Sequence, residues 1–348
     1  MTDVLRVDPD NPDPKLIARA AKLLEDGKLV AFPTETVYGL GVHALDRAAV
    51  LRLFEAKQRP ANDPLIVHVE SIDDVPRLVE SVPSSARALA ARFWPGPLTL
   101  VLRRSPRVPP EVSAGLPTVA IRVPSHPVAR AILAASRLPI AAPSANLFSR
   151  PSPTQADHVL ADLDGRIDLI VDAGPTNVGL ESTVVDLSAS PPAVLRPGAI
   201  DLEALRVAIP DVVARDTRAA TEETTPSPGM LAKHYSPRSP LTLYDGDRSA
   251  ALAHLVRDIR QLVERGATVA ALAFTEDAQE LRHTGARIVE LGRESDPNDV
   301  AARLYAALRD ADALHPDLIV ARTLTTVHPL TTAIRDRLGR AAGRVVKT

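Results

Sequence analysis

Several stretches of this chain set cations, amides and hydroxyls where they could hold anions. In Lys57-Gln58-Arg59-Pro60-Ala61-Asn62-Asp63-Pro64, two cations and an amide occupy a short run stiffened by Pro60 and Pro64. Cations at a helix end can simply answer its dipole, but a stiff cationic loop also suits phosphate. In Thr118-Val119-Ala120-Ile121-Arg122-Val123, strand alternation puts Thr118, Ala120 and Arg122 on one face and the valines and Ile121 on the other. An arginine in so apolar a strand is costly unless paired, so an internal carboxylate or an anionic ligand must meet it. The same alternation turns His68 away from the Leu65, Val67, Val69 face.

Other polar groups gather where strands end. Pro139-Ile140-Ala141-Ala142 breaks into the turn Ser144-Ala145-Asn146, which offers hydroxyl, amide and backbone N–H groups to an anion or a base edge. Phe32-Pro33-Thr34-Glu35-Thr36-Val37-Tyr38-Gly39-Leu40-Gly41 follows an apolar strand with hydroxyls, a phenol and two glycines. Strand ends of this kind carry function in α/β proteins, although a turn satisfying its own backbone would use the same residues. Ser182-Thr183 and Arg196 add a hydroxyl pair and a further arginine. The common chemistry is the holding of several negative groups side by side.

Composition removes other chemistries. The chain contains no cysteine, which excludes thiolate metal sites, disulfides and cysteine nucleophiles, and fits a reducing compartment. Its nine histidines are scattered without ligand spacing, so no protein-built metal site is expected. Lys and Arg number 41 against 43 Asp and Glu, and aromatics make up 3%, which argues against a base-stacking RNA module. Met1–Asp8 shows no basic region followed by an apolar run, and no segment is apolar for the roughly 18 residues a membrane span needs. A soluble, cytoplasmic protein is expected.

The elements that must position these residues follow from periodicity. Leu16, Ile17, Ala20, Leu23 and Leu24 recur at helical spacing between Pro14 and Gly27, and a second helix starts at Asp46. Leu29–Phe32, Leu65–Val69, Leu98–Leu102, Thr118–Val123, Ile140–Ala142, Asp168–Val171, Thr183–Leu187 and Ala193–Leu195 are expected as strands. Further helices are expected near Ser84–Phe93, Pro127–Ala135 and Thr154–Leu160. Around Arg206–Arg238 the periodicity fades into a Thr-, Pro- and Ser-containing linker. Regular strand–helix alternation from Leu241 then predicts a smaller parallel domain, whose first turn, Asp245-Gly246-Asp247-Arg248, is not a dinucleotide fingerprint.

Taken in order, the stretches FPTETVYGLG, KQRPANDPLIVHV, WPGPLTLVL, TVAIRVPSHP, PIAAPSAN with PSPTQADHV, GLESTVVD and LRPGAI resemble the YrdC-like superfamily. They cover most of residues 28–200. The segment Ser227-Pro228-Gly229-Met230-Leu231-Ala232-Lys233-His234-Tyr235-Ser236-Pro237 resembles an element of the long, two-domain form, the threonylcarbamoyl-AMP synthases. The resemblance implies a YrdC-like twisted mixed sheet with helices over 1–205 and a Rossmann-like parallel α/β domain over 241–348; the Pro-containing linker over 206–240, with His234 and Tyr235 in Ser227–Pro237, is expected as an active-site lid, the alternative being a plain tether. It also implies formation of threonylcarbamoyl-AMP and pyrophosphate from L-threonine, bicarbonate and ATP, with Mg²⁺ carried by ATP and no organic cofactor. The product would pass to the machinery that places threonylcarbamoyl on tRNA, with a weak RNA contact and no membrane partner.

By the same resemblance, Lys57, Arg59, Ser144 and Asn146 form the catalytic K-x-R and S-x-N signature and bind ATP, together with Asn62, Thr118, Ser152, Arg196 and Tyr235. Thr34, Tyr38, His68, Arg122 and Ser182 are its threonine contacts. After Asn146 the family usually runs through Ser-Gly, whereas this chain has Leu147-Phe148-Ser149-Arg150. The alternatives are an RNA-binding module on the same fold, or carbamoyl-adenylate chemistry on another substrate.

Overall fold

A computed structural model describes residues 1–215 and 234–348. They form two units, and these are not contiguous in sequence. The first holds Met1–Phe148, Ser152–Asn177 and residues 181–215. The second holds residues 234–348 together with two tripeptides, Ser149–Pro151 and Val178–Leu180. Of the linker and lid expected over 206–240, residues 216–233 lie outside the described residues, and His234–Pro237 belong to the second unit.

In the first unit the chain runs β1 (Asp3–Arg6), α1 (Pro14–Glu25), β2 (Val30–Phe32), β3 (Gly39–His43), α2 (Arg47–Lys57), β4 (Ile66–His68), α3 (Ser84–Phe93), β5 (Leu98–Arg103) and β6 (Thr118–Arg122). It continues through α4 (Pro127–Ser136), β7 (Ile140–Ala141), α5 (Ala156–Leu163), β8 (Leu169–Asp172), β9 (Thr183–Asp186), β10 (Ala193–Arg196), α6 (Leu202–Arg206) and β11 (Val213–Ala214). The strands make one mixed sheet in the order β1-β8-β2-β3-β7-β4-β6-β5-β9-β10-β11. A twisted mixed sheet with helices is the architecture the sequence predicts.

Local chemistry explains the helix boundaries. Asp13 caps α1 by accepting from Lys15 N at 2.8 Å, Pro14 sits at the first turn, and Gly27 leaves with φ 70°. Asp46 caps α2 through Ala48 N and Ala49 N, and Gln58 ends that helix in the left-handed region at φ 53°. Strand β3 was not anticipated, because its Gly39 and Gly41 erase the apolar alternation that announces a strand. Gly41 is required by packing: a Cβ there would lie 2.6 Å from the Phe32 ring and 2.9 Å from Ile140.

Alternation divides the central strands as expected. Val67, Leu100, Leu102, Val119, Ile121 and Val123 join Leu53, Phe54 and Leu89 in the main core. Ile66, Val101, Ala120, Val184 and Leu195 form a small apolar floor on the other side. The polar candidates stand around that floor.

The second unit comprises β12 (Leu241–Asp245), α7 (Arg248–Glu264), β13 (Val269–Phe274), α8 (Ala278–Arg282), β14 (Arg287–Gly292), α9 (Pro297–Ala313), β15 (Leu318–Arg322), α10 (Thr331–Ala341) and β16 (Arg344–Lys347). Its sheet, ordered β14-β13-β15-β12-β16, is parallel throughout. Leu255, Ile259 and Leu281 pack on Ala271, Ala273 and Val320. At the carboxyl ends of the strands, buried Arg322 pairs with Asp277 at 2.6 Å and with Glu294 at 2.5 Å.

Candidate active site

Register brings the first set of site residues together. Arg122 on β6 stands opposite His68 on β4 and opposite Thr99 on β5. Partners in register project to the same face of a sheet, so the three side chains form one row across it, all buried. Thr99 Oγ1 lies 2.7 Å from Ser182 Oγ at the entrance to β9. Arg196 then donates to Ser182 Oγ and to Ser182 O, each at 3.1 Å.

Arg122 is met from within the protein. Its Nη2 lies 2.8 Å from Glu35 Oε1, its Nη1 donates to Thr36 Oγ1 at 2.9 Å, and its Nε donates to Gly96 O at 3.3 Å. Of the two partners the sequence leaves open, the structure supplies the internal carboxylate. Burial pushes the Glu35 carboxyl up, but the charge and hydrogen bond of Arg122 outweigh it and hold Glu35 below its ordinary value. His68 is different: burial, then the charge of Arg122, depress it to about 3, so its ring is neutral. Its Nδ1 has no hydrogen-bond partner among the described residues. A buried polar atom left this way implies a group that completes it.

The second set is built where α2 ends beside the turn after β7. Lys57 Nζ donates to Ser144 O at 2.6 Å and to Asn146 O, and Phe148 N donates back to Lys57 O at 2.9 Å. The K-x-R and S-x-N stretches are therefore one structural object, tied by the lysine. Burial, with the nearby Arg59 charge, pulls the Lys57 ammonium well below its ordinary value. Arg59 pairs with Asp63 at 2.9 Å and donates to Pro64 O at 2.8 Å. Burial raises the Asp63 carboxyl against the opposing pull of Arg59, Lys57 and Arg196, which places Arg196 in the same field.

The remaining candidates occupy defined positions. Thr34 Oγ1 donates to Val37 O at 2.7 Å and accepts from Thr36 N at 3.2 Å, closing its own turn. Tyr38 Oη donates to Gly174 O at 2.6 Å, and burial raises the phenol above its ordinary value. Ser152 donates to Glu181 Oε1 at 2.5 Å, both groups buried. Asn62 is half-buried between Arg59 and Asp63. Thr118 lies at the opposite end of β6 from Arg122, on the same face and ~13 Å away at the usual strand rise. Tyr235 falls in the second unit, where its ring centroid lies 5.4 Å from that of Tyr305 and 5.5 Å from the Arg337 guanidinium.

Some partners were missed in the sequence. Glu35 and Thr36 lie inside a quoted stretch, but nothing in their spacing ties them to Arg122. Thr99 could have been found from strand alternation, since it shares its face with Val101. Glu181 is an acceptor whose donor, Ser152, arrives through the fold, whereas Asp63 stands only four residues after its partner Arg59.

A mixed sheet with a buried row of arginine, histidine and hydroxyls across it, and a buried lysine tied to a turn amide where α2 ends, defines an α/β protein with cations gathered at strand ends. Known proteins say which. Residues 22–198 match the family model described as telomere recombination, and residues 200–343 match the model of the threonylcarbamoyl-AMP synthase C-terminal domain. The threonylcarbamoyl-AMP synthase of Pyrococcus abyssi is 41% identical over 94% of both chains. That of Bacillus subtilis is 44% identical over 96% of this chain and 95% of its own. The solved structure of P. abyssi Sua5 complexed with L-threonine superposes with a TM-score of 0.91 at 39% identity, covering 100% of each chain. The chain belongs to the threonylcarbamoyl-AMP synthase family.

Proposed function

We propose that this protein joins L-threonine, bicarbonate and the AMP part of ATP into threonylcarbamoyl-AMP, releasing pyrophosphate, in support of N6-threonylcarbamoyladenosine formation on tRNA. The observation that carries this reading is the row His68–Arg122–Thr99 with Ser182 and Arg196 beside it, where Arg196 shares the electrostatic field of Asp63 with Arg59 and Lys57 of the Lys57–Ser144–Asn146 assembly. The row offers a guanidinium, hydroxyls and a neutral imidazole, suited to a hydroxylated amino acid. Where α2 ends beside the turn after β7, cations and turn amides suit a triphosphate.

The neutral amine of threonine attacks bicarbonate, forming the carbamate and releasing water. A carbamate oxygen then attacks the α-phosphorus of ATP; the bond to the bridging oxygen breaks and pyrophosphate leaves. No protein nucleophile is required, which agrees with a chain that has no cysteine. The protein must hold three anions together against their repulsion, and positioning of this kind can contribute on the order of 7–11 kcal/mol. Arg122 takes the threonine carboxylate, Thr34 or Ser182 the threonine hydroxyl, and Arg59 and Arg196 the phosphates, with Mg²⁺ arriving on ATP as part of the substrate. Lys57 holds the turn that carries Ser144 and Asn146. Among the described residues no helix is long and apolar enough to cross a membrane, and the absence of cysteine supports a cytoplasmic setting.

Pyrophosphate release from ATP, with threonine and bicarbonate each left out in turn, tests the reading. Release that needs both is the expected result. Release that needs neither would overturn it.

A further inference from the structure

The second unit contains two tripeptides that the sequence carries far upstream of it, and each ends one residue before a residue of the candidate site. Ser149–Pro151 precedes Ser152, and Val178–Leu180 precedes Glu181. Ser152 and Glu181 share the 2.5 Å hydrogen bond described above, and Glu181 is followed by Ser182. Whatever fixes the two tripeptides fixes the backbone that enters this pair.

All three residues of the first tripeptide are held. Ser149 O accepts from Ser236 N at 2.7 Å, Arg150 Nη2 pairs with Asp312 Oδ2 at 3.2 Å, and Pro151 O accepts from Arg309 Nη2. Ser149 takes φ 65°, a left-handed backbone that favours glycine, so the loop keeps an uphill conformation that these bonds oppose. Gly179 of the second tripeptide lies directly on α9: a Cβ there would come within 2.4 Å of Ala301 O and of Ala302 Cα, and its φ is 73°. Ala301, Arg309 and Asp312 recur at helical spacing and are all buried, so a single helix serves both tripeptides. Arginine and aspartate are expensive to bury merely to pack a helix. Here their polar ends meet backbone or an opposite charge on a loop that leads into the site.

We infer that Arg309 and Asp312 on α9, with Gly179 seated on the same helix, are positioning residues for catalysis, setting the backbone that enters Ser152 and Glu181. The inference rests on the proposed function, in which Ser182 takes the threonine hydroxyl, and on the nucleotide contact that the resemblance gives Ser152, whose hydroxyl is bonded to Glu181. It divides the labour: the Arg309–Asp312 side governs the nucleotide end, and Gly179 the threonine end.

The test uses the full chain with Arg309→Met, Arg309→Lys, Asp312→Asn and Gly179→Ala. Readouts are the separate KM values for ATP and threonine in pyrophosphate release, equilibrium binding of a non-hydrolysable ATP analogue, and melting temperature. Arg309→Met should raise the ATP KM about tenfold, the scale of one lost charge-assisted hydrogen bond, with threonine KM nearly unchanged. Arg309→Lys, which keeps a donor, should recover part of that loss. Gly179→Ala should do the reverse, raising threonine KM more than ATP KM. Equal rises in both KM values, or unchanged KM values in folded variants, would overturn the inference. Should Arg309→Met fail to fold, Asp312→Asn and Arg309→Lys carry the same comparison. If the wild type releases no pyrophosphate but binds the analogue, the functional reading fails, while analogue affinity in the variants still decides whether α9 sets the nucleotide end.

Discussion

In the proposed function Arg122 takes the threonine carboxylate, a role specific to a guanidinium. Its fork already spans Glu35, Thr36 and Gly96, which a lysine's single ammonium cannot do at once. Arg122→Lys should weaken threonine binding by about 1.5–3 kcal/mol, the worth of hydrogen bonds to a charged group, as read by titration calorimetry. Ser182, bonded to Thr99 and Arg196, bears on the choice between threonine and valine. Sites built around a substrate hydroxyl discriminate on the order of 10⁴–10⁵, so Ser182→Ala should shrink the threonine-to-valine ratio of kcat/KM. Comparable ratios before and after would remove Ser182 from that role. His68 gives a prediction in pH. Its folded value of about 3 lies below the ordinary histidine value, so on acidification the unfolded chain takes up the proton first. Stability should therefore fall as pH drops from about 6.5 toward 3, and His68→Asn should flatten that slope in urea melts. The sequence exposed Arg122 and His68 through strand alternation, but not Glu35, because a side chain from the β2–β3 turn reaches β6 only in the folded sheet.

Among the elements, the close approach at the start of β9 controls where Ser182 stands. Gly198 would place a Cβ 2.3 Å from Thr183 N and 2.7 Å from Ser182 C, with backbone on every side. Gly198→Ala should cost about 1–3 kcal/mol of stability, as overpacking does, and raise the KM for threonine; a normal KM would show that β9 yields without moving Ser182. Helices were readable because they carry their own signals: Asp13 and Pro14 start α1, and Asp46 starts α2. Strands β1 and β16, at sheet edges, and β3, with its two glycines, lack that signature, since their place depends on neighbours rather than on composition. Likewise, the tie from Lys57 to the turn at Ser144 joins residues 87 apart in sequence, and neither stretch reveals it alone.

For the molecule as a whole, each unit has its own source of stability. In the second, Arg322 lies buried between Asp277 and Glu294 with its guanidinium 4.4 Å from the Phe274 ring centroid. Arg322→Met would leave two buried carboxylates with the half-exposed Arg248 as their remaining cation and should cost about 3 kcal/mol, seen as a lower denaturant midpoint in far-UV circular dichroism. Burial raises Glu294, but hydrogen bonds from Arg322 and Thr325 outweigh it and hold its carboxyl at about 2. The stability this contributes is present above the ordinary glutamate range and is lost as pH falls toward 2. Strand–helix alternation made this parallel domain legible from Leu241 onward. The tripeptides that join it from upstream were not legible, because Ser149–Pro151 and Val178–Leu180 differ in no compositional way from other loops. The first unit has a further property. Trp94 is the chain's single tryptophan; it stands two residues before the Gly96 carbonyl that receives Arg122, and its indole donates to Leu98 O, two residues after that carbonyl, at 2.7 Å. Selective excitation of tryptophan therefore draws light from beside the Arg122 contact alone, so the unlabelled protein carries its own optical gauge of the proposed threonine end, one to which the second unit adds no emission.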